Sequence, residues 1–181
     1  MGLYYIMKIA IPTYQRSDTI SKQTLKFLKE QGIHEKNIFL FVVEEEKEAY
    51  KKLGNYNVIV GEKGIKQQRQ FMSRYFFENE VICYMDDDIM SLEYYDDREF
   101  KLIDFLKTAE TLLKEENCGL LGVYAVDNKY FMKKGYTTDL KFIIGAFCVV
   151  RNTYICETRD YEMLEDYERT LKYFIKYGGV I

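Results

Sequence analysis

Three consecutive carboxylates, Asp86, Asp87 and Asp88, are the residues of this sequence best suited to chemistry. They follow directly on Val81–Met85, an apolar run typical of a buried strand. In an extended segment alternate side chains point to the same side, so Asp86 and Asp88 can grip one hard divalent cation while Asp87 points elsewhere. Open α/β sheets bind ligands beyond the C-terminal ends of their strands, where this triplet lies. The pattern therefore predicts a metal site, with a solvated acidic turn as the alternative.

Part of this segment, Tyr84-Met85-Asp86-Asp87, also spells the YMDD of reverse-transcriptase palm domains, where paired aspartates hold two metal ions. A chain of 181 residues is too short for the fingers and thumb of a polymerase. Its formal net charge of -3 also argues against a surface whose main task is neutralising many phosphates. We therefore disfavour this hypothesis and expect no nucleic-acid partner.

Short apolar runs alternate with longer stretches of helical period along the whole chain. This alternation predicts an α/β fold, Rossmann-like, with a mostly parallel central sheet flanked by helices. The length indicates a single domain over residues 1–181. The predicted strands are 6–11, 37–43, Asn57–Val60, Val81–Met85, 120–126 and 142–150. The predicted helices are 17–31, 44–53, 65–77, 100–116 and Glu165–Tyr177.

The first predicted strand ends at Pro12-Thr13-Tyr14, immediately before a helix. With the acidic triplet downstream, this turn makes the chain resemble GT-A fold glycosyltransferases, similar to the large inverting family-2-like group and to compact viral and phage-type members. The resemblance extends from Ile9 to Tyr173 and depends on the order and spacing of motifs that are individually degenerate. It implies transfer of a sugar from a UDP- or GDP-type nucleoside-diphosphate sugar to a hydroxyl acceptor, most simply a glycan, with inversion and with Mn²⁺ or Mg²⁺ as cofactor.

The resemblance assigns nucleotide-binding roles to Thr13, Tyr14 and Arg16, because an aromatic ring can stack on a base and a guanidinium can meet phosphate. A helix-capping turn with a packed tyrosine is the alternative. Glu44 matches an acidic position that contacts the base or ribose, although Glu44-Glu45-Glu46 equally suits a helix N-terminus. These assignments place the nucleotide beside the ends of the first two strands.

A glycine-containing turn over residues 61–64 leads into the helix that carries Arg69. It resembles the family's Gly-rich turn, whose arginine reaches the nucleotide; the alternative is a surface arginine. The segment matches neither GxGxxG nor a Walker loop, which disfavours a dinucleotide or P-loop site. Within the triplet, the resemblance implies that Asp86 and Asp88 hold the metal and that Asp86 or Asp87 contacts ribose.

Gly145, inside the predicted strand 142–150, resembles a family position where a missing side chain leaves room for the donor sugar; a bulge is the alternative. Glu165-Asp166 opens the last helix and resembles the Glu-Asp pair whose aspartate removes the acceptor's proton. Asp166 is therefore the predicted base. Alternatively, the pair only favours a helix N-terminus, or Asp160 or Glu162 reaches the site instead.

The chain departs from the family pattern in its histidines. Many relatives complete the metal site with a histidine near the C-terminus, whereas the single histidine here is His34, after the first helix. The polar, aromatic segment 127–139 is predicted to be a long loop that takes part in acceptor recognition.

Two other functions stay open. One is a sugar-nucleotide-forming nucleotidyltransferase, which usually has a Gly-rich signature that residues 9–16 lack. The other is a non-catalytic nucleotide-sugar-binding domain.

The cysteines indicate a reducing environment. Cys83, Cys118, Cys148 and Cys156 lie far apart without CxxC spacing, and most of them sit in or beside apolar runs, so reduced core thiols and a cytoplasmic location are expected. The N-terminus has no basic region, and Pro12 interrupts its short apolar run. We therefore expect neither a signal peptide nor a transmembrane segment.

Overall fold

A mixed sheet forms the centre of the protein. The computed structural model describes residues 7–96, 98–124, 128, 130 and 132–181. Within these ranges a six-stranded sheet has the order β3-β2-β1-β4-β6-β5. The strands are β1 (Lys8–Pro12), β2 (Ile38–Val42), β3 (Asn57–Val60), β4 (Val81–Met85), β5 (Leu120–Gly122) and β6 (Phe147–Arg151). Strands β1 to β4 are mutually parallel, and β6 runs antiparallel to both β4 and β5. The predicted α/β class with a mostly parallel sheet is confirmed.

Helices cover both faces of this sheet. They are α1 (Ser17–Lys22), α2 (Thr24–Glu30), α3 (Lys47–Lys51), α4 (Ile65–Tyr75), α5 (Leu102–Glu115), α6 (Tyr154–Glu157) and α7 (Glu165–Tyr177), with 3-10 turns at Glu35–Asn37 and Glu44–Glu46. Alternation along β1 sends Ile9 to the face covered by α2 and α5, and Ala10 to the face covered by α4 and α7. Strands buried on both faces read as continuous apolar runs, which is why the sequence revealed them.

The predicted first helix is interrupted at Gln23, whose backbone is not helical. The cause is tertiary: Thr24 Oγ1 donates to the carbonyl of Asp86 at 2.9 Å and accepts the N–H of Ile89 at 2.8 Å. A new helix, α2, therefore begins at Thr24, and the hydroxyl of this residue anchors the segment that follows β4. Similarly, the predicted helix 44–53 begins as the 3-10 turn Glu44–Glu46.

The prediction of a strand over 142–150 is wrong at its beginning, since β6 starts at Phe147. Its neighbour β4 ends at Met85, which is paired with Phe147. One further bond, from the N–H of Asp86 to the carbonyl of Ala146 at 2.8 Å, ends the pairing. Gly145 consequently lies in a turn and not in a strand. The strand predicted over 120–126 is observed as Leu120–Gly122. Residues 6, 125 and 126 of the predicted strands, and 127, 129 and 131 of the predicted loop, lie outside the described residues.

All four cysteines are buried and free. Burial raises the pKa of Cys83, Cys148 and Cys156, which favours the neutral thiol. These cysteines therefore act as small apolar residues of the core. Across the part of the chain that the structure describes, no helix has both the length and the apolar character needed to cross a membrane.

A buried asparagine joins the end of β6 to the end of α4. Asn152 is fully buried, and its Nδ2 donates to the carbonyls of Ser73, Phe76 and Phe77 at 2.8, 3.3 and 3.0 Å. Its Oδ1 accepts the hydroxyl of Ser73 at 2.8 Å. Carbonyls at a helix C-terminus lack partners within the helix, so this single side chain satisfies several of them.

We expect Asn152→Ala to lower the free energy of unfolding by about 2–4 kcal/mol, because it removes several buried hydrogen bonds and leaves their carbonyls unsatisfied. Urea denaturation measures this change. Asn55→Ala, at an exposed asparagine, is the matched control and should change stability by less than about 0.5 kcal/mol. Equal effects of the two substitutions would contradict the anchoring role of Asn152.

Candidate functional site

A cleft of about 470 Å³ opens beyond the C-terminal ends of β1, β2 and β4. The turn that leads into α4 forms its other wall. Six of the residues singled out in the sequence line this cleft together: Thr13, Tyr14, Arg16, Arg69, Asp86 and Asp87. Asp88, Gly145 and Asp166 are not among these lining residues, and neither is Glu44. Its carboxylate is 69% exposed and lies 3.6 Å from Lys47 Nζ.

The centre of the acidic triplet is held by the loop after β1. Buried Asp87 accepts hydrogen bonds from Thr13 Oγ1 and Arg16 Nη1, both at 2.7 Å. The same Arg16 nitrogen lies 3.0 Å from Asp88 Oδ2. Two negative charges thus share one guanidinium, which lowers their mutual repulsion and raises the pKa of Arg16 through its hydrogen bonds to Asp87 and Asp88.

Tyr50 supports this loop and was not singled out from the sequence. Its hydroxyl lies 2.8 Å from Thr13 Oγ1. Because the Thr13 hydroxyl proton already goes to Asp87, Tyr50 donates to Thr13, and its oxygen accepts the N–H of Arg16 at 3.2 Å. Burial raises the pKa of Tyr50 and keeps it a donor. A tyrosine in a helical pattern gives no local signal of such a role.

Tyr14 keeps a partly open ring at the mouth of the cleft. It is 42% exposed, and Lys63 Nζ lies 5.4 Å from its ring centroid. The next residue, Gln15, has a positive φ of 56° and donates its backbone N–H to the carboxylate of Glu46 at 2.9 and 3.1 Å. The carboxylate that meets the first loop is therefore Glu46, two residues after Glu44.

Arg69 lies inside the protein, so the alternative of a surface arginine is wrong. The residue is 6% exposed and its Nη2 donates to Asp86 Oδ1 at 3.1 Å. Its Nη1 donates to Glu165 Oε1 at the start of α7. Burial raises the pKa of Asp86, partly opposed by the charge of Arg69. Arg69 therefore connects the acidic triplet with α7.

Gly145 makes room for this arginine. A Cβ at position 145 would lie 2.2 Å from Arg69 Nη1. The space left by the absent side chain is thus filled by the guanidinium, whereas the sequence had suggested space for a sugar. The N–H of Gly145 donates to Asp166 Oδ2 at 3.1 Å, which holds Asp166 next to the turn.

Among the acidic residues near α7, Glu165 and Asp160 are engaged in ion pairs, Glu162 is exposed, and Asp166 lies beside the turn at Gly145. Glu165 has both oxygens in ion pairs, with Arg69 and with Arg159. Burial opposes the ionisation of Glu165, but the two guanidinium groups outweigh it and lower its pKa. Asp160 pairs with Lys172 Nζ at 3.0 Å and is 70% exposed. Asp166 is half-buried, and the described hydrogen bond of its carboxylate is the one from the N–H of Gly145.

The carboxylates suit a hard divalent cation that a substrate helps to hold. Asp88 is 46% exposed, and only its Oδ2 is engaged by Arg16. Within the described ranges no group of three or more His, Cys, Asp or Glu side chains is arranged around a metal position. Mg²⁺ is commonly bound by one or two carboxylates together with substrate phosphates and water, so Asp86 and Asp88 fit such a cation. His34 is exposed and accepts the N–H of Lys36, apart from the cleft residues.

Comparison with known proteins gave matches among solved structures, whereas neither a family model nor a curated protein matches the sequence. The mannosyltransferase PcManGT from Pyrobaculum calidifontis, in complex with GDP-mannose and Mn²⁺, matches with a TM-score of 0.62 and 12% identity, over 98% of this chain and 55% of that one. The chain has a GT-A-like glycosyltransferase fold. S. aureus TarS 1-349 matches this GT-A-like chain with a TM-score of 0.55 and 16% identity, over 98% of this chain and 58% of that one.

The bifunctional IspDF from Campylobacter jejuni also matches, with a TM-score of 0.51 and 11% identity, over 98% of this chain and 49% of that one. The GT-A-like chain therefore spans about half the length of these three structures. A mannosyltransferase and the bifunctional IspDF thus both share this fold, so the fold alone does not identify the reaction. The reaction has to be argued from the residues of the site.

We expect Gly145→Ala to lower the free energy of unfolding by about 1–3 kcal/mol, because the new methyl group displaces Arg69 from its buried ion pairs. Urea denaturation of a double-mutant cycle with Arg69→Ala checks the cause. In the Arg69→Ala background the added methyl group meets no guanidinium, so Gly145→Ala should cost less than about 0.5 kcal/mol there. Additive effects would show that Gly145 serves some purpose other than accommodating Arg69.

Proposed function

We propose that the protein transfers a sugar from a nucleoside-diphosphate sugar of UDP or GDP type to a hydroxyl group of an acceptor, a glycan in the simplest case. The observation that carries the proposal is that Arg16 and Arg69 line one cleft together with Asp86 and Asp87. Asp88 shares Arg16 with Asp87, and Asp166 accepts the N–H of Gly145, which adjoins Arg69. A nucleoside diphosphate is bound through its phosphates and base, and the cleft offers partners for both parts.

The donor-binding roles follow from the chemistry of each side chain. Asp86 and Asp88 would hold Mn²⁺ or Mg²⁺, which neutralises the charge of a leaving diphosphate when bound. Arg16 and Arg69 present fixed guanidinium groups to phosphate oxygens. The partly exposed Tyr14 ring offers a stacking face to the base. The ribose contact falls to Asp86 or Asp87: Asp87 accepts hydrogen bonds from Thr13 and Arg16, and Asp86 accepts one from Arg69.

The proposed chemical step is a single displacement. Asp166 accepts the proton of the acceptor hydroxyl while that oxygen attacks the anomeric carbon. The bond between this carbon and the diphosphate oxygen breaks at the same time, and the diphosphate leaves with the electron pair. Attack from the side opposite the leaving group inverts the configuration. Gly145 supports the base because its N–H holds Asp166 Oδ2 at 3.1 Å.

A thermal-shift screen with UDP and GDP, each with and without Mn²⁺, tests donor binding. A ligand at a hundredfold its dissociation constant stabilises the folded state by about 2.7 kcal/mol, which raises the Tm of a chain of this size by roughly 5–10 °C. We expect this shift only with Mn²⁺, and we expect EDTA to abolish it.

The same screen gives the metal assignment a matched control. Asp88→Ala should lose the Mn²⁺-dependent shift, whereas Glu45→Ala, at an exposed carboxylate outside the cleft lining, should keep it. A shift that is unchanged in Asp88→Ala would refute the proposed metal site. If neither nucleotide gives a shift under any condition, the proposed donor class is wrong.

Asp166→Asn should lower the rate of nucleoside-diphosphate release by about 10²–10⁴-fold, because asparagine cannot take the proton. Donor affinity should change less than about twofold, because Asn still accepts the N–H of Gly145. The assay measures nucleoside-diphosphate release from UDP- and GDP-sugars in the presence of simple saccharide acceptors, with Glu45→Gln at an exposed carboxylate as the control.

The rates of nucleoside-diphosphate release and of pyrophosphate release distinguish the proposed function from its alternatives. A non-catalytic nucleotide-sugar-binding domain would bind the donor and show no turnover that depends on Asp166. A nucleotidyltransferase would release pyrophosphate from a nucleoside triphosphate and a sugar phosphate, which a pyrophosphate assay detects. Full activity of Asp166→Asn would exclude this residue as the base.

A further inference from the structure

A row of alternating charges runs from the half-buried Asp86 at the cleft into the interior of the protein. Its members in order are Asp86, Arg69, Glu165, Arg159 and Glu157. They come from the end of β4, from α4, from α7 and from α6 and the segment that follows it. The two ends of the row differ, since Asp86 lines the cleft and Glu157 is 1% exposed in the interior.

Arg159 is the anchor of this row. Its side chain is fully buried, and its Nε donates to Glu165 Oε2 at 2.7 Å. Its Nη2 donates to Glu157 Oε2 at 2.9 Å, and its Nη1 donates to the carbonyl of Cys156 at 3.2 Å. A planar guanidinium can satisfy three acceptors in fixed directions, which a lysine ammonium cannot reproduce. Glu157 is fixed in turn by the hydroxyl of Tyr173 at 2.8 Å.

Glu165 stands between the two arginines and accepts from both. The preceding residue, Leu164, has a positive φ of 59°, a left-handed conformation that is strained for a leucine. This turn of the backbone starts α7 with Glu165 directed inward, at 7% exposure, while Leu164 itself stays exposed. The fold therefore tolerates local strain at the residue that precedes the shared carboxylate.

Two carboxylates, Asp86 and Glu165, compete for the guanidinium of Arg69. Arg159 supplies part of the positive charge that Glu165 requires, so Arg69 can keep Nη2 for Asp86 at 3.1 Å. Without Arg159, the full charge of Glu165 would draw Arg69 away from the cleft.

We propose that Arg159 and Glu165 are positioning residues of the donor site: Arg159 holds Glu165, and Glu165 holds Arg69 against Asp86 at the cleft. The inference depends on the proposed function, because it assumes that Arg69 contacts a nucleoside diphosphate. Arg159 itself touches neither the cleft lining nor Asp86 within the described residues.

We call the contacts that lead from Arg159 through Glu165 to Arg69 the relay. Isothermal titration calorimetry with UDP and GDP in the presence of Mn²⁺ tests it on the full chain. Arg159→Lys keeps the charge and loses the fixed fork, and Glu165→Gln keeps the shape and loses the charge. We expect each variant to weaken nucleotide binding about tenfold, the effect of one misplaced charge-assisted hydrogen bond. The double variant should be no weaker than the worse single variant, because both residues act through Arg69.

Tyr173→Phe is the matched control. It removes the hydroxyl that contacts Glu157 and the carbonyl of Arg151 at the far end of the same row, and it changes neither Arg159 nor Glu165. It should lower the Tm and leave the dissociation constants within about twofold of the wild-type values. All titrations are made well below the Tm of each variant.

The outcomes separate the two proposals. If the wild-type chain binds nucleotide and Arg159→Lys binds it equally well, the relay is wrong and the proposed function stands. If Tyr173→Phe weakens binding as much as Arg159→Lys does, affinity only follows stability and the relay is wrong. Should Arg159→Lys fail to fold, Glu165→Gln decides alone by the same criterion. If the wild-type chain binds neither nucleotide, the proposed function itself fails.

Discussion

The arrangement of this site depends on one electrostatic constraint. Three adjacent carboxylates follow a buried strand, and their mutual repulsion has to be offset by cations that the fold brings to them. Arg16 serves Asp87 and Asp88, and Arg69 serves Asp86. The loop after β1 and the first turns of α4 are therefore placed by charge as much as by packing. A diphosphate with its cation would enter a region where positive and negative groups are already interleaved.

Much of the fold could be predicted because its signals are local. The bounds of β3, β4 and α7 agree with the sequence prediction. The two strands are apolar runs between polar turns, and Gly178 ends the helix, so a few neighbouring residues are enough to predict each bound. The errors have tertiary causes. Gln23 leaves the helical conformation because Thr24 bonds to the segment after β4, and the chain before Phe147 is not a strand because β4 ends opposite that residue.

The candidate site was predicted in its membership better than in its contacts. The sequence motifs correctly grouped Thr13, Arg16 and Arg69 with the acidic triplet, because residues at strand ends and helix starts converge at one edge of the sheet. They gave no sign of the ion pair between Arg69 and Glu165, which are 96 positions apart. Glu44 was chosen from its place after β2, but a residue at a strand end is free to point outward, and this one does.

The reversed direction of β6 has a consequence for how such a chain can change. Because β5 runs antiparallel to β6, β5 ends and β6 begins at the same edge of the sheet, where the ends of β1 and β4 also lie. The whole connection from Gly122 to Phe147 thus starts and finishes at the edge of the sheet beyond which the cleft opens. Its last residues are tied to the sheet, because Ile143 is buried and the carbonyl of Ala146 accepts the N–H of Asp86, so a change in length would have to fall before Ile143. Such a change would leave the registers of β4, β5 and β6 unaltered.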